Sequence, residues 1–121
     1  MKVPISNRRL LCAEFVPRGT RAADIGTDHG YLAVYLLREG ICPFVTAADL
    51  REQPLQKARE NAARFGVADR MQFLLSDGLQ SIPPDAAGTI VMTMTSVSRK
   101  AGSRFLKNLS LIHISEPTRP L

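Results

Sequence analysis

The chain has 121 residues, enough for one domain with a core, and its 45% hydrophobic content is ordinary for a globular protein. No apolar run approaches the ~20 residues of a membrane-spanning helix, and the opening MKVPISNRRLL lacks the apolar stretch and cleavage site of a signal peptide. The formal charge of +5 is unevenly placed: residues 1–98 hold 11 Lys/Arg and 10 Asp/Glu, and the remaining excess comes from Arg99, Lys100, Arg104, Lys107 and Arg119 against Glu116, so net charge alone does not indicate a nucleic-acid-binding surface.

Residues 6–16 read as a helix capped by Ser6 or Asn7, with Leu10, Leu11, Phe15 and Cys12 on its apolar face and Pro17 and Gly19 as its stop. Arg8 and Arg9 near its start either contact phosphate or belong to a solvated face. Cys12 and Cys42 stand alone, with neither metal-ligand spacing nor a disulfide framework, and are expected as reduced, buried thiols of a cytosolic protein. A strand over Arg21–Ile25 breaks at Gly26, and a helix follows over His29–Glu39, ending at Gly40. Phe44–Ala48 forms a second strand ending in Asp49. Pro54 suits the first turn of the next helix, which presents Leu55, Ala58, Ala62 and Phe65 on one face and closes at Gly66. Met71–Leu75 is a third strand before Ser76-Asp77-Gly78, Leu79–Ser81 begins a short helix, and Thr89–Met92 is a fourth, central strand. Strands alternating with helices at this spacing give an α/β fold with a doubly wound parallel sheet.

The stretch AADIGTDHGYL is the centre of this pattern. Its glycines let backbone approach a ligand where a strand passes into a helix, the place where doubly wound sheets build nucleotide sites. Asp24, Asp49 and Asp77 stand at or near the ends of three successive strands, and therefore on one edge of a parallel sheet. Asp49 lies 19 residues after Gly30, a spacing at which an acid accepts hydrogen bonds from a ribose diol, although the residue also suits a helix N-cap. Asp77 either meets an exocyclic amine of adenine or is a turn residue. Asp24, or Asp28 beside it, would hold an ammonium group or counter a positive centre. His29 is expected in the first helical turn, bonding backbone or Asp28, and Tyr31 and Tyr35 are read as packing residues. The turn Gly-Thr-Asp-His-Gly puts an acid where a pyrophosphate wants backbone, and the third glycine of GxGxxG is missing. A cationic donor, S-adenosyl-L-methionine, fits these residues better than a nicotinamide dinucleotide, which is the weaker alternative. Direct methyl transfer asks the protein to align two reactants and exclude water.

The residues SNRRL, AEFVPRG and ADIGTDHGYL, followed by Asp49-Leu50 before Pro54-Leu55 and by Ser76-Asp77-Gly78-Leu79, resemble the N-terminal part of the bacterial tRNA (adenine-22, N1) methyltransferases over about residues 5–92. The resemblance implies a Rossmann-like class I methyltransferase fold with S-adenosyl-L-methionine as cofactor and tRNA as partner, in a cytoplasmic enzyme without metal or membrane. It implies that Gly26, Asp28, His29 and Gly30 surround the methionine end of the cofactor, Asp49 the ribose and Asp77 the adenine, with Asp24, Leu50 and Gly78 in the same site. Arg8 and Arg9 are the candidate RNA contacts, and no catalytic residue is assigned. The acceptor nitrogen lies on the Watson–Crick edge, so the base must leave its stack before its lone pair attacks the methyl carbon in line with the departing sulfur.

The chain departs from the family after the fourth strand, with Thr93-Met94-Thr95-Ser96 in place of an Ala-Gly-Met-Gly-Gly loop and with Gly88 where an acid is usual. Residues 109–119 resemble the peptide translated from a transposon-type sequencing adapter and are expected to add no element, so that His113 and Glu116 take no catalytic role. The expected organisation is a cofactor-binding part over 1–92, an unassigned stretch over 93–108 and an adapter-derived stretch over 109–121, with the fold truncated after about its fourth strand. An inactive fragment, binding cofactor weakly or not at all, is the alternative to an enzyme.

Overall fold

The computed structural model describes residues 2–83, 85–92 and 110–113. Helix α1 spans Asn7–Glu14, and the Ser6 hydroxyl accepts the Arg9 backbone N–H at 3.3 Å, the N-cap expected of a serine there. Strand β1 (Ala22–Ile25) leads to α2 (Tyr31–Arg38), β2 (Val45–Asp49) to α3 (Glu52–Arg64), and a 3-10 turn (Ala68–Arg70) opens β3 (Met71–Leu75). Strand β4 (Thr89–Met92) follows, and β5 (Ser110–His113) pairs with it. All four pairings are parallel, in the order β3-β2-β1-β4-β5. Strand order therefore reverses between β1 and β4, which places the turn after β1 beside the switch point where open α/β sheets bind ligands.

Register explains the two faces. Ala22 pairs with Val45 and Thr89, and Asp24 with Ala47 and Val91. One set of alternate residues, including Ala22, Val45, Ala47 and Val91, packs with Cys12, Ala13, Leu32, Leu36 and Ala62 from the helices. The other set (Ala23, Ile25, Ala48, Ile90 and Met92) packs with Leu79 and Ile82 from the turn after β3. Strands β1 and β4 are buried throughout, Asp24 and Thr89 included, as expected for central strands of a parallel sheet. Burial pushes the Cys12 thiol up and the Cys42 thiol up to about 11, so both remain protonated at neutral pH.

Three expectations need correction. Leu11 and Phe15 are 49% and 63% exposed; α1 buries Cys12, as expected, together with Ala13, because small side chains allow it to lie close against the core. Leu79–Ser81 forms successive turns rather than a helix, with Gln80 N–H donating to the Asp77 carbonyl and Ile82 N–H to the Leu79 carbonyl. Ser110–His113 is a strand although no element was expected there: the outer edge of β4 offers unpaired backbone groups, and a short run containing Leu111 and Ile112 suits pairing with it. The expectations for Thr93–Ser96, for 97–108 and for Glu116 lie outside the described residues.

Candidate functional site

The turn after β1 is held by its own backbone. Gly26 and Thr27 N–H groups both donate to the Ala48 carbonyl at 2.9 Å, and Gly30 N–H donates to the Thr27 carbonyl. Gly26 and Gly30 have φ of 79° and 77°, and Asp28, at 56°, also occupies the left-handed region that aspartate tolerates better than most residues. At Gly30 a side chain is doubly excluded, since a Cβ there would lie 2.9 Å from the Ala58 Cβ. Gly30→Ala is expected to destabilise the fold by about 2–4 kcal/mol, combining left-handed strain with overpacking, as read by urea unfolding.

The three acids have different surroundings. Asp24 is completely buried on the helix-covered face; its Oδ2 accepts the Thr27 hydroxyl at 2.8 Å, and its Oδ1 has no partner among the described residues. Burial pushes the Asp24 carboxyl up, an effect that Arg9 and the Thr27 hydroxyl oppose and Asp49 and Asp28 reinforce. Asp49, two residues along the same β2 face from Ala47, is half-buried; its Oδ2 accepts Asp28 N–H at 3.0 Å and its Oδ1 the Arg51 N–H at 3.4 Å. Residue Arg51, not Asp49, occupies the N-cap position of α3. The Asp77 carboxylate is exposed and has no partner among the described residues; its turn is held by Ser76, whose Oγ donates to the Gly78 carbonyl and accepts Ser81 N–H. Gly78 is buried, with φ of 60°.

His29 is half-exposed just before α2 rather than inside its first turn, with Nδ1 3.2 Å from Asp28 Oδ2 and its ring stacked on Tyr31. Leu50, on the residue after Asp49, is 53% exposed, and Leu75 at the end of β3 is 54% exposed, so apolar surface flanks the acids. Arg8 is half-buried. Arg9 has a task that its sequence position did not suggest: its guanidinium donates to the Thr27 carbonyl at 3.3 Å, drawn toward buried Asp24. A hollow of about 180 Å³ lies between α1 and the turn, lined by Pro4, Ser6, Arg9, Asp28, His29 and Tyr31. Thr27, Asn61 and Leu75 also belong to this neighbourhood without having been singled out. The only signal for Asn61 was a polar residue on the buried stripe of α3.

These facts decide what kind of ligand suits the turn. An anion cradle needs backbone N–H groups aimed outward, but those of Gly26, Thr27, Asp28 and Gly30 are all satisfied internally. The acids that reach solvent at the turn are Asp28 and, in part, Asp49, and carboxylates favour positive centres and hydroxyl donors. Among the described residues no group of His, Cys, Asp and Glu could hold a metal ion, and no helix is long and apolar enough to cross a membrane.

A parallel sheet with this strand order, its acids along one edge and a glycine turn at the reversal define a Rossmann-like methyltransferase domain. A family model described as a methyltransferase domain matches residues 5–95, and the chain belongs to that family. Within it, the chain is similar to the tRNA (adenine(22)-N(1))-methyltransferase of Bacillus subtilis strain 168: 28% identical over 91 residues, covering 75% of this chain and 38% of the relative. It is also similar to the release factor glutamine methyltransferase of Cereibacter sphaeroides, 43% identical over 60 residues that cover 50% of this chain and 22% of the relative. The solved structure of Streptococcus pneumoniae Sp1610 in complex with S-adenosyl-L-methionine superposes with a TM-score of 0.81 at 29% identity, covering 90% of this chain and 54% of that one. The chain thus spans well under half the length of the curated relatives it matches.

Proposed function

We propose that residues 1–92 carry the cofactor-binding part of an S-adenosyl-L-methionine-dependent methyltransferase whose acceptor is N1 of an adenine in tRNA. The observation that carries the cofactor reading is the polarity of the turn: the Gly26, Thr27, Asp28 and Gly30 N–H groups are bonded within the protein, and the exposed Asp28 carboxylate stands beside half-buried Asp49. Asp24 supports it: a buried Oδ1 without a partner, directly beneath that turn, suits the neighbourhood of an ammonium group. When bound, S-adenosyl-L-methionine supplies an electrophilic methyl group on a positively charged sulfur. Asp49 would accept hydrogen bonds from the ribose diol, Asp77 from the adenine amine, and Leu50 and Gly78 would border the adenosine. Gly26, Asp28, His29 and Gly30 would enclose the methionine end.

The two curated relatives are named for different acceptors, an adenine and a glutamine, so what their names share is methyl transfer. The longer match, over three quarters of this chain, supports the tRNA adenine as acceptor. Arg8 remains the proposed RNA contact from α1, with Arg9 steadying the turn beside it. A tRNA substrate would suit a cytoplasmic enzyme. The adapter-like composition of 109–121 is part of the same proposal.

Titration with S-adenosylhomocysteine is expected to raise the midpoint of thermal unfolding. Free ligand at 100 times Kd contributes about 2.7 kcal/mol to the native state, whereas NADH contributes nothing. Saturation by NADH with no response to S-adenosylhomocysteine would overturn the cofactor reading in favour of a dehydrogenase. Absence of N1-methyladenosine from unmodified tRNA incubated with the protein and donor, despite clear S-adenosylhomocysteine binding, would overturn the acceptor alone.

A further inference from the structure

We infer that Asn61 is a positioning residue for the turn after β1: its buried side-chain amide holds the His29 carbonyl and so keeps Asp28–Gly30 in the shape that receives the methyl donor. The inference rests on the reading of that turn as the cofactor site.

Asn61 is only 9% exposed and shares the buried face of α3 with Leu55, Ala58 and Ala62, where an apolar residue would ordinarily stand. Asparagine is a poorer helix former than alanine or leucine, and burying its amide costs free energy unless it is hydrogen-bonded. Its partner lies 32 residues earlier: Nδ2 donates to the His29 carbonyl at 2.8 Å. That carbonyl precedes the first acceptor of α2, because Val34 N–H reaches back only to Gly30. The Asn61 amide is thus matched to a backbone group that the helix leaves over.

Two further contacts make the bond a brace rather than an isolated pairing. Ala58, three residues earlier on the same helix face, touches Gly30 so closely that no side chain fits between them. Asp49, just ahead of α3, accepts the Asp28 N–H. Asp28, His29 and Gly30 are therefore gripped in succession by Asp49, Asn61 and Ala58. Asp28 and Gly30 both have positive φ, a conformation that an unbraced turn would leave readily. Holding it beforehand spares the ligand the ordering cost on binding.

The test compares Asn61→Ala, which removes the donor in a residue that favours helix, with Asn61→Asp, which keeps the shape but presents an acceptor, and Asn61→Gln, which keeps a donor. Calorimetric titration with S-adenosylhomocysteine is accompanied by thermal melts and by the His29 carbonyl ¹³C resonance of the ligand-free protein. Affinity is expected to fall by about tenfold or more in Asn61→Ala and Asn61→Asp and to recover in part in Asn61→Gln, with the His29 resonance displaced in the first two. If Asn61→Asp does not fold, Asn61→Ala decides. A folded Asn61→Ala protein with wild-type affinity, or with an unmoved His29 resonance, overturns the inference and leaves the cofactor site standing. Failure of the wild-type protein to bind S-adenosylhomocysteine overturns both.

Discussion

Asp49→Ala is expected to weaken S-adenosylhomocysteine binding by on the order of 100-fold, the largest loss of affinity from any single solvent-accessible side chain in the site. Hydrogen bonds to a charged group contribute about 1.5–3 kcal/mol each, and ~2.7 kcal/mol is two decades in Kd. The half-buried carboxylate has two tasks that fail together. It would accept the ribose hydroxyls, and it anchors the Asp28 N–H at 3.0 Å. Asp49→Asn retains one acceptor oxygen at the same place and is expected to lose only about tenfold, since a neutral acceptor bonds roughly half as strongly. The native fold should survive both changes, because the backbone bonds of Gly26, Thr27 and Gly30 and the side-chain bonds from Arg9 and Asn61 still hold the turn. Calorimetry on the two variants checks the ranking, and wild-type affinity in Asp49→Ala would remove Asp49 from the site.

Asp24→Asn should act in the opposite sense on stability while still harming binding. Burial raises the folded-state pKa of Asp24 above its unfolded value near 3.8. The folded protein therefore holds this proton more tightly than the unfolded chain does. Stability from this group is fully present below pH 3.8 and declines as pH rises from there through the folded-state pKa. At neutral pH Asp24 is consequently a liability to the fold. Asparagine keeps an acceptor for the Thr27 hydroxyl and removes the charge but leaves an amide N–H buried without a partner, so a net gain of about 1 kcal/mol is expected. In a domain of this size that raises the unfolding midpoint by several degrees, on the order of 4–8 °C per kcal/mol. The gain should be seen at pH 7 and shrink as pH is lowered toward 4. Affinity for S-adenosylhomocysteine should fall, since the negative charge beneath the turn no longer counters the ligand's ammonium group. A variant no more stable at pH 7 than at pH 4, relative to wild type, would show that burial of Asp24 carries no such penalty. A group retained at a cost to the fold is the pattern expected of a functional residue.

Much of this site was legible in the residues themselves. Short, mainly apolar runs, three of them followed within two residues by an acid or a glycine, located β1, β2, β3 and β4 to within a residue or two, because a strand in a largely covered parallel sheet is short and mainly apolar. Strand alternation then put Asp24 and Asp49 on one face of the sheet. Helix α1 was less legible. In so short a helix the period of 3.6 hardly fixes the buried face, and local hydrophobicity grouped Leu11 and Phe15 with Cys12, whereas Cys12 is buried with Ala13. Only the space available against α2 selects the smaller pair.

The amino-acid order by itself determined which chemistry the molecule can present: glycines that admit a turn of left-handed backbone and acids spaced to meet at the ends of parallel strands. The tertiary structure alone decided how that chemistry is divided. It sealed Asp24 beneath Thr27 and left Asp77 in water, and it turned Arg9 from a surface charge into a support for the Thr27 carbonyl. It also brought Asn61 to His29 across 32 residues. The reason is that residue type and period fix local conformation and charge, whereas burial and hydrogen-bond partners are relations between segments distant in the chain, which exist only after the helices have packed onto the sheet.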